Sequence, residues 1–381
     1  MRATRLLQSI AAAVLGCAAS LACGQDILVG QVSSLTNPIT ALNAKGLSVG
    51  INVYFSHVNA QGGVGGRVVK LVNKDDQLTP GKMTELTREF IADKRVVALA
   101  AYQNTSGITE LAKLNVVGEG GIAMVAPFQG DRSLVSAPNF YPFRSGYPDE
   151  LAALVKEALF TQKTRVAVVS QTATFGPAML KLVLEMSKKE GLDIVADIKV
   201  ETAVADKLDA SVSAAAQELI KSSPDAIMML LGGRGGLALM KQIKNSPLQD
   251  TQLYLMSVVP AQEVFKAVGG KARGVIIAQA VPFPFAATLP LVAQYQKLMK
   301  QYAPEEPLSF SSLEGFVSAK ITVEAIKRAG PNPTREKVLK ALNSMGELDL
   351  GGVYVNYSPK ERIGWGGVDL TIIGENGKLL R

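Results

Sequence analysis

The sequence predicts an α/β protein built from two doubly wound parallel-sheet domains. Short apolar strands alternate with amphipathic helices almost to the end of the chain. Several strands, such as 165–170 (RVAVVS) and 225–231 (DAIMMLL), carry continuous apolar runs, the mark of strands covered on both faces. At 381 residues the chain is long enough for two such domains with well-buried cores.

The first strand covers 26–32 and leads into a loop rich in Ser, Thr, Asn and Pro at 33–44. A helix follows, with Leu47, Ile51, Tyr54, Phe55 and Val58 at three- and four-residue spacing. It stops at Gly62-Gly63 and turns through Val64-Gly65-Gly66 into a strand at 67–73. Thr79 and Pro80 are expected to open the next helix as N-cap and first-turn proline. Strands near 96–101 and 121–126 bracket a short helix at 107–114. A second unit begins after Tyr147-Pro148: strands at 165–170, 192–199, 225–231 and 252–257 alternate with helices at 176–190, 207–222 and 235–245. The last third adds helices near 288–303, 312–329 and 334–345, then strands near 353–357 and 368–373.

Composition excludes several classes. Apolar residues make up 48% and charged residues 19%, which argues against disorder. The formal net charge of +7 is spread along the chain without basic clusters interleaved with aromatics, so nucleic-acid binding is not expected. Arg2 and Arg5 followed by a short apolar stretch read residues 1–24 as a signal peptide, which places the mature chain in the periplasm. Both cysteines, Cys17 and Cys23, lie in that stretch, so no internal disulfide is expected. Val14-Leu15-Gly16-Cys17 offers lipid anchoring as the alternative.

Catalytic signatures are scarce. His57 is the only histidine, which argues against a His-based triad or a histidine metal cluster, and its place on the first helix reads as packing. Neither Gly-rich run, 62–66 or 232–236, has phosphate-loop or dinucleotide spacing. Asp75-Asp76 follows a strand end and reads as a solvated or helix-capping pair. No enzyme, cofactor or metal is expected. Ligands of open α/β sheets gather beyond the carboxyl ends of the strands. Four loops there suit a small polar ligand: Tyr102 to Gly107, 126–130, 172–176 and Gly232-Gly233-Arg234. In the first, hydroxyls and free N–H groups at a helix start suit a carboxylate, while capping by Thr105 or Ser106 is the alternative.

The segments ILVGQVSSLT (27–36), INVYFSHVNAQGGVGGRVVKLVNKDDQLTPGK (51–82), ATFGPAM (173–179), SLEGFVSAK (312–320) and DLGGVYVNYSP (349–359) carry a resemblance that spans the mature chain. It is to the branched-chain-amino-acid-type, type I periplasmic binding proteins of ABC importers. The resemblance implies two lobes joined by a three-segment hinge and closing on a ligand. It assigns 26–146 plus 280–351 to lobe one and 147–279 plus 352–381 to lobe two. It places Asn104, Thr105 and Ser106 at the ligand carboxylate, with Phe128 and Gln129 in the next strand-end loop. Phe175 covers the ligand from lobe two, Arg234 stands at an often aromatic position, and Phe310 supplies a further wall.

One departure bears on the ligand. Binders of this type pair the ligand ammonium with an acid from lobe two, and the matching stretch around Ser257 (255–259) has none, nor has 172–175. A partly dry ammonium without a partner costs several kcal/mol. The expected ligand is therefore a small carboxylate without an α-ammonium, aromatic or dicarboxylic, with an amino acid as the alternative. The expected partners are that ligand and ABC permease subunits, and a monomer is expected. A sensing domain and, less favoured, a secreted α/β enzyme are the readings from other classes.

Overall fold

The computed structural model describes residues 25–37, 40–172, 176–202 and 205–381. The expected leader with both cysteines, residues 1–24, lies outside the described residues, as does Phe175 in the loop 173–175.

The chain runs β1 (Ile27–Ser33), α1 (Ala41–Ala60), β2 (Val69–Asp75), α2 (Lys82–Ala92), β3 (Val96–Ala100), α3 (Thr105–Lys113), α4 (Val116–Glu119), β4 (Ala123–Val125) and β5 (Phe140–Tyr141). It continues through α5 (Tyr147–Phe160), β6 (Arg165–Gln171), α6 (Gly176–Glu190), β7 (Asp193–Val200), α7 (Ala205–Ser222), β8 (Ala226–Leu230), α8 (Gly233–Ile243), β9 (Gln252–Leu255), α9 (Ala261–Val268) and β10 (Ile276–Gln279). The last stretch is α10 (Pro290–Tyr302), α11 (Phe310–Arg328), α12 (Arg335–Asn343), β11 (Gly346–Asp349), β12 (Tyr354–Tyr357), β13 (Arg362–Ile363), β14 (Asp369–Ile373) and β15 (Leu379–Leu380).

Strands β1–β5 form a parallel sheet in the order β2-β1-β3-β4-β5. The second sheet has the order β15-β14-β10-β9-β8-β6-β7, parallel except for its last two strands in the chain. Each sheet has an apolar core on both faces. That is why β3, β4 and β8 are buried along their whole length and read as unbroken apolar runs. The chain passes between the two lobes three times: after β5, after β10 and after β13.

Two expectations shift. The helix expected to open at Thr79-Pro80 begins at Lys82, after Gly81 in the left-handed region (φ 75°). Thr79 is used instead to close a turn on the Asp76 carbonyl. Residues 352–363, which the resemblance assigns to lobe two, pack with lobe one: β12 pairs with β11, and Val353, Val355 and Tyr357 lie in the first core. The buried Tyr357 hydroxyl donates to the Pro142 carbonyl at 2.9 Å, tying this strand to the first crossing.

The first lobe is held by an unusually close helix pair. Ideal Cβ atoms built at Gly50 of α1 and Gly315 of α11 fall 1.9 Å from the Ser312 carbonyl and 2.1 Å from the Leu47 carbonyl. Backbone meets backbone, so no side chain fits at either position. Gly50→Ala should therefore destabilise by about 1–3 kcal/mol in urea denaturation, the cost of overpacking. Gly270→Ala, where nothing lies within 4 Å of the new methyl, should change stability by less than about 0.5 kcal/mol.

Candidate functional site

The strand-end loops of both sheets meet between the lobes, and two cavities lie there. The first, about 140 Å³, is lined from lobe one by the start of α1, Phe128, and the start of α11 with the residues before it. From lobe two it is lined by Ser257, Val259 and the start of α9, and from the crossings by Arg144 and Val281. The second, about 860 Å³, runs between α3 and α6 and is lined by Thr105, Ser106, Gln129, Tyr147 and Met179 among others.

Arg144 dominates the first cavity. It follows β5 on the first crossing, and its side chain is 1% exposed. The guanidinium lies over the Phe128 ring, 4.3 Å from the ring centre, which holds its plane while leaving its edge for hydrogen bonds. Nη2 donates to Ser257 Oγ. The Glu150 carboxylate of α5 and the Glu314 carboxylate of α11 each stand 3.9 Å away, too far for a direct hydrogen bond. Among the described residues, Nε and Nη1 of Arg144 have no hydrogen-bond partner, and neither has Oε1 of Glu314.

The two carboxylates differ. Glu150 accepts from the Ser257 N–H at 2.8 Å and from its hydroxyl at 3.0 Å. Its pKa is raised by burial, with Arg144 and the Ser257 donors acting against that. Glu314 lacks such donors; burial pushes it up to about 7, against the pull of Arg144 and with a further push from Glu150. Burial works against the Arg144 charge as well, and the Glu314 and Glu150 carboxylates more than offset it.

The expected site residues divide between the two cavities. Phe128, Ser257 and Phe310 line the first. Phe310 packs edge-on against Phe283 and Phe285 (centroids 6.2 and 5.8 Å) and touches both main cores, so it bridges the lobes. Thr105, Ser106 and Gln129 line the second. The Tyr147 hydroxyl hydrogen-bonds Thr105 across the lobes, and Gln129 Nε2 donates to Thr109 at 3.0 Å. Asn104 lines neither. Its side chain caps α3 by accepting from the Gly107 N–H, and donates to Asp76 at 2.7 Å. The cap is thus Asn104 rather than Thr105 or Ser106. Arg234 lies in the first turn of α8, is exposed, and lines neither cavity.

Asp75 and Asp76 do more than the sequence reading allowed. Asp75 accepts from Leu35, Thr36 and Gln77, which holds its pKa low against a burial effect of opposite sign. Asp76 accepts from Ser34, Leu78 and Asn104. The pair fastens the loops after β1, β2 and β3 to one another. Arg144 and Glu314 are the residues that sequence reasoning missed. The available signals were an arginine directly after the apolar Phe140 to Phe143 run and a single acid in a helix start otherwise made of small and apolar residues.

Comparison with known proteins gives a consistent picture. The profile described as periplasmic binding protein matches residues 26–368. No curated protein sequence matches the chain. A substrate-binding periplasmic protein from Ralstonia solanacearum is 26% identical, with 93% of this chain and 99% of that one covered and a TM-score of 0.85. A fatty acid ABC transporter substrate-binding protein from Thermomonospora curvata is 19% identical, covering 93% and 91%, with a TM-score of 0.80. A branched chain amino acid ABC transporter protein from Thermus thermophilus with bound valine is 18% identical, covering 94% and 96%, also at 0.80.

Glu314 has a consequence for stability. Its pKa is higher in the folded chain than the ordinary 4.5, so the folded state binds the proton more tightly. The resulting stabilisation is complete below about pH 4.5 and is lost as pH rises through about 7, by an amount on the order of 3 kcal/mol. Glu314→Gln, which keeps the shape without the charge, should remove that slope. Urea denaturation of both proteins between pH 5 and 8.5 measures it, and E314Q should gain on the parent as pH rises.

Proposed function

The chain belongs to the periplasmic binding protein family, and from that membership we propose that it captures a small carboxylate without an α-ammonium for an ABC importer. The two lobes close over the ligand and present the closed form to the membrane permease. The observation that carries this reading is Arg144: a buried guanidinium in the cavity between the lobes with two nitrogens lacking an acceptor among the described residues. An incoming carboxylate supplies a charged acceptor for one of these nitrogens. Phe128, Val259 and Phe310 provide apolar walls for the rest of the molecule.

The related folds do not decide the ligand class. One carries valine and another is named for fatty acids, both of them carboxylates. The choice rests on this chain's own residues, and lobe two offers Ser257 where an acid would hold an ammonium. The amino-acid reading draws support from Glu314 Oε1, an acceptor without a donor in the cavity wall. Thr105, Ser106 and Gln129 belong to the proposed approach to the site, and the resemblance gives Phe175 the part of a cover over the ligand. Capture rather than catalysis fits a family of binding proteins and a chain with one histidine. The leader-like residues 1–24 support a periplasmic location.

The test is a thermal-shift panel on protein refolded from denaturant: benzoate, hexanoate and succinate against valine, leucine and glutamate. An acid at a hundred times its Kd should add about 2.7 kcal/mol of stability. Arg144→Lys, which keeps the charge and loses the planar fork, should weaken that binding more than tenfold. Arg234→Ala should alter it less than twofold. Stabilisation by amino acids alone would reverse the choice of ligand class.

A further inference from the structure

The first cavity holds a charge problem. Arg144 carries one positive charge, and Glu150 and Glu314 together carry two negative charges when both are ionised. All three side chains are at least 98% buried. A carboxylate docking on the guanidinium brings a third negative charge into the same dry space. One cation cannot compensate three anions there, because the desolvation of each unpaired charge costs several kcal/mol.

We propose that capture of a carboxylate beside Arg144 carries one proton from solvent into the cavity, and that Glu314 takes it. The inference rests on the carboxylate reading of the site given above. Geometry selects Glu314 over Glu150. Glu150 already accepts two hydrogen bonds from Ser257, which favour its ionised form. Glu314 Oε1 accepts none among the described residues, so a proton there displaces no bond and adds a donor to a residue of the cavity wall.

Among the described residues, the other charged groups nearby are already engaged. The charges acting on Glu314 are Arg144 from the first crossing and Glu150 from α5. Lys45 of α1 and Glu306, on the segment before α11, also line the cavity but pair with each other at 2.8 Å. Strands β3 and β4 beneath α11 carry no ionisable side chain. On α11 itself Lys320 bonds Gln294 and the Leu350 carbonyl, away from the cavity. The pKa of Glu314, pushed up to about 7 by burial, means that the proton is available near neutral pH.

The linkage has a definite sign. The ligand acid is fully ionised above pH 6, so the pH dependence belongs to the protein. Below about pH 7 Glu314 is already protonated and binding takes up no proton. Above it, each bound carboxylate takes up nearly one proton, and affinity falls about tenfold per pH unit. Isothermal titration calorimetry of benzoate or hexanoate at pH 6.0, 7.0 and 8.5, in phosphate, Hepes and Tris buffers of different ionisation enthalpy, measures both quantities. The expected result is uptake rising from near zero to near one proton, with Kd weakening at least tenfold between pH 7.0 and 8.5. E314Q, locked in the neutral form, should show no buffer dependence and should bind more tightly than the parent at pH 8.5. Carboxylate binding without proton uptake in the parent overturns this inference and leaves the ligand reading intact. So does uptake that persists in E314Q. Binding of valine without proton exchange, abolished in E314Q, would make Glu314 an ammonium acceptor and overturn both. Absence of binding by any carboxylate removes the reading and the inference with it.

Discussion

A single buried cation between two buried carboxylates governs the junction of the lobes. Arg144 comes from the first crossing, Glu150 from the first helix of lobe two and Glu314 from the long helix of lobe one. The cation is the member that cannot be spared, since without it two buried carboxylates face each other uncompensated. The geometry of the crossing is therefore tied to both lobes at once. Ser257, at the tip of a lobe-two strand, satisfies Glu150 and receives Arg144 in the same place. A hydroxyl suits that double duty because it donates and accepts, where a carboxylate would add a third negative charge.

The periodic parts of the fold were legible, because an apolar run between amphipathic helices has few other meanings. Strands β6 and β8 and helix α6 fall within a residue or so of their expected limits. The elements that escaped are those whose signal depends on partners distant in the chain. Strand β10 is four residues long and takes its place only between β9 and β14. Helix α5 starts at Tyr147-Pro148, a pair that reads as a break until the Asp149 carboxylate accepts from the Gly146 N–H.

The site was legible in kind but not in composition. The loops at the strand ends are where a ligand site belongs, and Phe128, Ser257 and Phe310 do share one cavity. Asn104, which the resemblance puts at the ligand carboxylate, has its side chain engaged within lobe one. Its true partner, Asp76, comes from a different strand end. Arg144 and Glu314 carry no local motif, and a charged residue outside a motif reads as solvated until tertiary structure buries it. The same distance in sequence hides the Asp75-Asp76 clasp, which joins the loops after β1, β2 and β3.

The backbone contact between α1 and α11 has a further consequence for how the molecule comes into being. The two helices that form it are separated by some 250 residues of chain, including the whole parallel part of the second sheet. Lobe one therefore cannot close its core until its carboxyl-terminal third exists, whereas β6 to β10 lie in one continuous stretch. Assembly is ordered accordingly, with the second lobe able to condense first and the first lobe waiting on a contact of long loop-closure distance. Until then only the opposite face of the first sheet can be covered, because the core there draws on residues 28–140 alone.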